Sequence, residues 1–347
     1  MTTPTVDIIV PVWNQPFEAR ACLVSILNTT DSARLIIVNN GCNRDTELLL
    51  EEFCDPLGER VLYMTMERNI GFVPALNRAL VRSTADWAMV IRPNGMVNDG
   101  WLQALLPLTG IEHAGIISPL CTTETPLPKH LTAAHCSQIE TCQLSFAGLM
   151  LSRVMREEIG CFDEDLDGGL WCLRDYQQRA AARNYLTYLA PAAAVHSGPA
   201  LVFGSEERRR TREQVSQQTC QNRWGVSHQY AIYFPKQTED EHLDNALKLI
   251  VAAARRGDRF TLLLHRHQYQ QASERGYRCL HTAIELVSLA RFTAHRDLHK
   301  RLAELTRAVA TLMVVKGVDG IPVPGYGNAQ SLSVITQRAT EASSCRI

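Results

Sequence analysis

The first two thirds of the chain alternate short apolar runs with amphipathic stretches. Four of the runs are apolar throughout and are bounded by polar turns, which predicts buried strands. They lie at residues 6–12, 35–38, 61–64 and 87–91. The stretches between them place apolar residues at helical spacing, as Phe17, Ala21 and Val24 do after the first run. Strands alternating with helices predict an α/β fold whose mostly parallel sheet is covered on both faces.

Polar residues stand where three of these strands end. Asn14 follows the first strand, Asn39 and Asn40 end the second, and Arg92-Pro93-Asn94-Gly95 follows the fourth. In a parallel sheet ligands bind beyond the carboxyl ends of the strands, so we expect these segments to line one rim. The alternation alone favours a nucleotide as the ligand.

The pattern changes after Ser205, where a charge run from Glu206 to Arg212 begins. Beyond it the pattern predicts strands at 230–234 and 260–264, and helices at 243–256, 278–291 and 297–315. We therefore expect two domains, residues 1–205 and residues 206–347. The second is expected to be mainly helical with a small β element.

Composition excludes several classes of protein. A length of 347 residues suits two domains, and a formal net charge of −1 gives no general attraction to nucleic acid. The 11 cysteines are scattered without a C-x-x-C pair, which is typical of a reducing cytosol. No apolar run approaches the roughly 20 residues that span a bilayer, and the N-terminus lacks a secretory pattern. The sequence predicts a cytoplasmic protein without a transmembrane segment, and leaves peripheral membrane contact open.

Several motifs follow one another in an order that carries information. Asn69-Ile70-Gly71 with Ala75 and Asn77 matches Asn-x-Gly-x-x-x-Ala-x-Asn, and residues 160–164 read Gly-Cys-Phe-Asp-Glu. The further matching segments are Asp7 to Asn14, Leu35 to Thr46, Val90 to Leu102, Asp175 to His196 and Arg223-Trp224-Gly225. Over residues 6 to 226 the chain resembles the family 2 glycosyltransferases.

That resemblance implies a GT-A fold and transfer of a sugar from a nucleoside diphosphate to a glycan, lipid-linked or protein acceptor, with inversion. It also implies a divalent metal, Mn²⁺ or Mg²⁺, on the diphosphate and a carboxylate general base. The implied donor-binding residues are Pro11, Val12, Asn14, Asn39, Asn69, Arg92 and Asn94. The implied metal-site residues are Asn94 and His196, the acceptor-side residues are Gly148, Phe162 and Asp163, and the base is Asp175.

Some acidic residues of the family pattern are replaced. Asn39 stands where an Asp reads the nucleoside, and Arg92-Pro93-Asn94 stands where the metal-binding Asp motif belongs. Two interpretations stay open. Either Arg92 offsets diphosphate charge without a metal, since a guanidinium suits phosphate, or the metal site has decayed.

The base position is altered as well. When Arg179 is aligned with the family's Arg in Glu-Asp-x-Asp-x-x-x-Arg, Cys172 and Leu173 replace the Glu-Asp pair and Asp175 remains. Asp175 has an alternative role as an ion-pair partner of Arg179 one helical turn on. The same register puts Asn184 where the family has Gly, and Asn tolerates a left-handed backbone.

The replaced residues support a rival class of function. Asp163, Asp165 and Asp167 are nearby substitutes for the base. Without one of them, the chain would be a non-catalytic GT-A-like protein that binds a sugar nucleotide or glycan, or an assembly subunit.

Overall fold

The computed structural model describes residues 3–30, 33–132, 136–166, 170–198 and 205–344. The strands are β1 (Val6–Val12), β2 (Arg34–Asn40), β3 (Val61–Met66), β4 (Trp87–Val90), β5 (Gly95–Val97), β6 (Ala114–Cys121), β7 (Ile139–Glu140), β8 (Leu149–Ser152), β9 (Leu186–Ser197), β10 (Gln229–Tyr233), β11 (Arg259–Leu264), β12 (Ile284–Ser288) and β13 (Met313–Lys316). The α-helices are α1 (Pro16–Thr29), α2 (Arg44–Cys54), α3 (Phe72–Arg82), α4 (Trp101–Leu105), α5 (Arg153–Ile159), α6 (Leu170–Ala182), α7 (Glu206–Trp224), α8 (Asp240–Arg255), α9 (Arg266–Glu274), α10 (Ala294–Ala308) and α11 (Ser333–Ser344). Short 3₁₀ helices lie at Asp55–Arg60, Leu106–Gly110, Lys129–Leu131, Glu164–Leu166 and Tyr277–Cys279.

The chain divides into two units that are not continuous in sequence. The first comprises Met1–Leu127 and Gln143–Cys220, and the second comprises Pro128–Cys142 and Gln221–Ile347. The first unit therefore extends beyond residue 205, and a segment from the middle of the chain belongs to the second unit. No motif in the sequence indicated that return.

A mostly parallel sheet forms the centre of the first unit, as the apolar runs predicted. Its strand order is β3-β2-β1-β4-β8-β6-β9-β5, in which β1 pairs in parallel with β2 and β4. Alternate residues of β1 face opposite sides. Ile8 and Val10 pack with Leu23 of α1, whereas Ile9 packs with Leu76 of α3. Helices thus cover both faces and the polar strand ends share one edge.

The second unit contains a parallel four-stranded sheet of order β12-β11-β10-β13. The predicted helix at 278–291 is wrong, because residues 284–288 form a strand. The helix predicted at 297–315 is present but shorter, since it runs from Ala294 to Ala308 and residues 313–316 form a strand. Ile284 and Leu286 are buried and alternate with the less buried Glu285, which is the period of a strand. Such short apolar runs fit either period, and pairing with β11 decides the outcome.

Two cysteines that the sequence pattern treated as unpaired form a disulfide in the second unit. Cys136 and Cys279 are joined with their Cα atoms 5.8 Å apart, across a sequence separation of 143 residues. The expectation of unpaired cysteines is wrong for this pair. Nearby, Arg255 donates two hydrogen bonds to Glu140, at 2.6 and 2.7 Å, which holds the returning segment to α8.

Across residues 3–344, with the gaps given above, no helix combines the length and apolarity that crossing a membrane requires.

Candidate functional site

The ends of β1 and β2 are tied together by side-chain amides. The Oδ1 of Asn14 accepts a hydrogen bond from the Asn43 backbone N–H at 2.8 Å. The Oδ1 of Asn39 accepts from the Cys42 N–H at 2.8 Å, and its Nδ2 donates to the Tyr63 hydroxyl at 3.1 Å. Asn39 is 1% exposed, so its amide holds the turn after β2 from inside the protein.

The predicted donor residues of β1 are buried and lead into a strained turn. Pro11 and Val12 lie opposite Val38 and Asn39 in the parallel ladder. Asn14 then has a φ of 56°, a left-handed conformation that Asn adopts more readily than most residues. The chain thereby turns at the edge of the sheet and α1 begins at Pro16.

A second amide network fixes the turn before α3. The Asn40 Nδ2 donates to the Asn69 Oδ1 and to the Gly71 carbonyl, both at 3.1 Å, while its Oδ1 accepts from the Ile70 N–H. The Asn69 Oδ1 also accepts from the Gly71 N–H at 2.8 Å. These hydrogen bonds fix the turn, and because Asn69 is exposed, the turn lies at the surface of the rim.

Gly41 is required where β2 meets this turn. Its φ is +69°, and a Cβ there would lie 2.2 Å from the carbonyl carbon of Arg68 and 2.4 Å from the Asn69 nitrogen. Because those atoms are backbone, a side chain at this position would displace the Asn69 turn.

Asn77 joins α3 to the predicted acceptor-side segment. Its Nδ2 donates to the Phe162 carbonyl and to the Glu164 carboxylate, both at 2.9 Å. Its Oδ1 accepts from the Phe162 N–H at 3.0 Å. The Phe162 ring stacks on Tyr176 with centroids 4.0 Å apart. The motif from Asn69 to Asn77 and the Gly-Cys-Phe-Asp-Glu motif at residues 160–164 therefore contact each other directly.

The other two acceptor-side residues have different surroundings. Gly148 is packed so closely that a Cβ would lie 2.5 Å from the Pro119 side chain. Asp163 is half-buried, and its Oδ1 accepts from the Asp165 N–H at 3.0 Å. Asp167 lies outside the described residues.

Arg92 forms an ion pair that the sequence did not indicate. Its Nη2 donates to one oxygen of the Glu124 carboxylate, and the other oxygen of Glu124 accepts from the Ser145 hydroxyl. The Arg92 Nε is buried and has no hydrogen-bond partner in the part of the chain that the structure describes. Burial lowers the pKa of this guanidinium. A cation and a carboxylate thus occupy the position of the expected metal motif.

The pairing of β5 with β9 brings the predicted metal-site residues close together. Met96 lies opposite His196, which places Asn94 and Asn98 on either side. The Asn98 amide lies 3.1 Å from the His196 Nε2, and the Asn94 Nδ2 donates to the Gly198 carbonyl at 3.3 Å.

These side chains do not fit a divalent metal well. Mn²⁺ and Mg²⁺ prefer carboxylate oxygens, whereas the position offers neutral amides, one imidazole and the carboxylate of Glu124, which is paired with the Arg92 guanidinium. Among the described residues, no three His, Cys, Asp or Glu side chains converge in a way that could hold a metal ion. The assignment of Asn94 and His196 as ligands stays a prediction.

Asp175 lies on α6 and is paired as its alternative role predicted. Its carboxylate accepts from the Arg179 Nε at 2.9 Å, and its side chain is 1% exposed. Arg179 also donates to the carbonyls of Ile159 and Cys161, at 2.7 and 2.8 Å. The ion pair therefore holds the chain just before the Phe162 segment. Catalysis by Asp175 stays a prediction.

The sequence alignment that identified Asp175 also predicts the backbone conformation of Asn184. Asn184 has a φ of 64°, so the left-handed backbone expected there is confirmed.

Sequence reasoning missed the partners of these residues. Glu124 follows β6 in a turn closed by the Thr125 N–H and the Cys121 carbonyl, at 2.9 Å. Glu124 lies three residues after the apolar run of β6, so it could have been noticed by the rule that found Asn14 and Asn39. Nothing local indicated Tyr63 or Ser145, because their contacts depend on how distant strands pair.

The comparisons with known proteins bear on this arrangement. Residues 7–127 match the sequence model described as glycosyl transferase family 2. A search of curated proteins found no match.

Two solved structures share the fold at low sequence identity. One is the mannosyltransferase PcManGT from Pyrobaculum calidifontis in complex with GDP-Man and Mn²⁺, with a TM-score of 0.53 and 16% identity over 89% of this chain and 82% of that one. The other is GalNAc-T7 with UDP, GalNAc and Mn²⁺, with a TM-score of 0.55 and 12% identity over 89% of this chain. The match spans 59% of the GalNAc-T7 chain. Residues 7–127 are therefore similar to glycosyl transferase family 2, and the protein has the GT-A fold that these glycosyltransferase structures share.

Proposed function

We propose that the protein transfers a sugar from a nucleoside diphosphate donor to a glycan, lipid-linked or protein acceptor, with inversion, and that Arg92 replaces the divalent metal. The observation that carries this proposal is the Arg92–Glu124 ion pair at the position of the metal motif. The two solved structures contain Mn²⁺, so this protein would differ from them in how it treats the leaving group.

Arg92 is suited to that role by charge and by shape. The diphosphate gains negative charge as the sugar departs, and a guanidinium can donate two parallel hydrogen bonds to phosphate oxygens. Its unpartnered Nε provides a donor that no described residue uses. A diphosphate would compete with Glu124 for the Nη2, so donor binding would release the Glu124 carboxylate from its ion pair.

The strand ends and turns that carry Asn14, Asn39 and Asn69 (the donor rim) and the acceptor-side segment around Phe162 have separate parts in this mechanism. Asn14, Asn39 and Asn69 form the rigid turns against which the nucleoside would lie. Asp175 is the proposed base, which takes the proton of the acceptor hydroxyl as the sugar moves. Its burial beside Arg179 requires that the neighbouring chain move before an acceptor reaches it.

One observation favours a second function, namely binding of a sugar nucleotide or glycan without transfer. The Asp175 carboxylate is almost fully buried and paired with Arg179, which in turn holds two backbone carbonyls. In that function Asp175 is structural, and the rim alone carries the activity. The acceptor type, the cytoplasmic location and a division into domains of separate role remain predictions from the sequence.

The first experiment is thermal unfolding with a panel of nucleoside diphosphates and sugar nucleotides, each with Mn²⁺ and with chelator. A ligand that binds only the native state raises the unfolding temperature. We expect a shift that chelator leaves unchanged, that disappears in Arg92→Gln, and that persists in Arg20→Gln, which removes an exposed arginine of α1. A shift that requires Mn²⁺ in the unaltered protein would contradict the metal-free proposal.

A second experiment separates transfer from binding alone. We expect Asp175→Asn to abolish sugar transfer while the donor-induced shift of the unfolding temperature is retained. Glu52→Gln, at an exposed carboxylate of α2 that has no part in the proposed site, is the control. Unchanged turnover in Asp175→Asn would remove this residue from the mechanism. Loss of turnover in step with loss of native stability would assign it the structural role instead.

A further inference from the structure

The second unit has a sheet edge at which three connections converge. Its four strands are parallel, so β10, β11 and β12 end at the same edge. The strand order reverses at β10, because β11 and β12 lie on one side of it and β13 on the other. Sheets of this kind bind ligands beyond the carboxyl ends of the strands, near such a reversal.

This edge carries basic side chains from each of the three connections. Lys236 follows β10, Arg266 and His267 follow β11, and His295 lies in the first turn of α10, after β12. All four are exposed. None of them forms an ion pair with a described residue, whereas Arg255 and Arg275 of the same unit both pair with carboxylates.

His265 directly follows β11 and lies at this same edge of the sheet. Its ring lies beside Tyr233, with the Nε2 3.2 Å from the Tyr233 hydroxyl. Burial lowers the pKa of His265, and the charges of His267, Lys236 and His295 lower it further.

Positive charge that has no carboxylate partner is neutralised well by a bound anion. Among the described residues no three ligating side chains converge to hold a metal ion, whereas a phosphate group would meet two cations and two imidazoles at this edge. We propose that the carboxyl edge of the second sheet binds the phosphate groups of a small ligand through Lys236, Arg266, His267 and His295. The ligand is a nucleotide or another phosphorylated compound, and the site is independent of the donor rim in the first unit.

The test is isothermal titration of inorganic pyrophosphate into the full chain at low ionic strength, where exposed charges are least screened. The altered chain is Arg266→Gln with His267→Gln. The control is Arg259→Gln, which removes an exposed arginine from the opposite end of the same strand β11. We expect the double variant to bind pyrophosphate roughly tenfold more weakly, and the control to bind it as the unaltered protein does.

Two results would overturn the proposal. One is that the unaltered protein binds no pyrophosphate. The other is that all three chains bind it equally, which would place the binding elsewhere. Binding in the first unit is recognised separately, because it responds to Arg92→Gln and not to the double variant. A parallel titration with UDP distinguishes a nucleotide ligand, which should bind more tightly than pyrophosphate, from ligands recognised by phosphate alone.

Discussion

The contact between α3 and the Phe162 segment can be tested by replacing Asn77 with leucine. The substitution keeps the branched shape and the number of heavy atoms of the side chain but removes its donor and its acceptor. Asn77 is 5% exposed, so water would not readily replace its hydrogen bonds. The Phe162 N–H and carbonyl, and one oxygen of Glu164, would lose their partner.

The expected magnitude follows from these contacts. Leaving a buried polar group without a partner costs about 1–3 kcal/mol. Two backbone groups of Phe162 are affected, and the Glu164 carboxylate is exposed and can turn to water. We therefore expect Asn77→Leu to lower the free energy of unfolding of the first unit by about 2–5 kcal/mol.

Denaturant unfolding followed by tryptophan fluorescence is a suitable assay. Four of the five tryptophans (Trp13, Trp87, Trp101 and Trp171) belong to the first unit, so the signal reports mainly on it. Val81→Ala is the control, because Val81 lies on the same helix and is 72% exposed. A loss below about 1 kcal/mol in Asn77→Leu would refute the reasoning, since it would mean that the three contacts do not couple these segments.

Three further predictions concern stability. Gly41→Ala should destabilise the first unit by at least about 2 kcal/mol in denaturant unfolding. The control is Gly58→Ala, which is also at positive φ but has open space around it and should lose only the about 1–2 kcal/mol of a strained backbone. Equal losses would show that the clash with Arg68 is relieved. Burial alone would raise the pKa of Asp7, but hydrogen bonds and charge from Arg34, with bonds from Ser83 and Ala85, outweigh it and lower the pKa. The stability from Asp7 is then present above about pH 4 and lost as pH falls through the lowered pKa, so Asp7→Asn should flatten the acid limb of the stability curve, and an unchanged limb would exclude Asp7 as its source. Cys279→Ser should lower the free energy of unfolding of the second unit by about 2–4 kcal/mol. Mass spectrometry of a digest without reductant should find Cys136 and Cys279 in one linked peptide, and separate peptides would rule out the disulfide.

The sequence was most informative where structure depends on short-range pattern. The apolar runs predicted β1 to β4 because β1, β2 and β4 are buried on both faces and β3 is partly buried. The asparagines at the ends of β1 and β2 lie on one rim as expected. The motif from Asn69 to Asn77 predicted the turn and helix α3. The sequence did not reveal that Asn39 and Asn40 form their hydrogen bonds mainly within the protein, so that many of the polar groups at the rim are internally bonded.

The remaining features of the fold and the site depend on pairing between strands that are distant in sequence, which the local pattern does not predict. Glu124 meets Arg92 only because β6 and β4 are brought into one sheet through β8. Residues 284–288 form a strand only because β11 offers an open edge. The metal motif could be judged incomplete from the sequence, but its replacement by an ion pair depended on a residue 32 positions away.

The return of residues 128–142 to the second unit has a consequence for how the protein can be made and divided. The polypeptide passes from one unit to the other after residues 127, 142 and 220. During synthesis the returning segment emerges long before α8 and Cys279, so it must wait for its partners while the first unit is completed. Neither unit could be exchanged between genes as a single cassette. Expression of either half alone would leave one unit without its inserted segment and the other with a stretch that has nothing to bind.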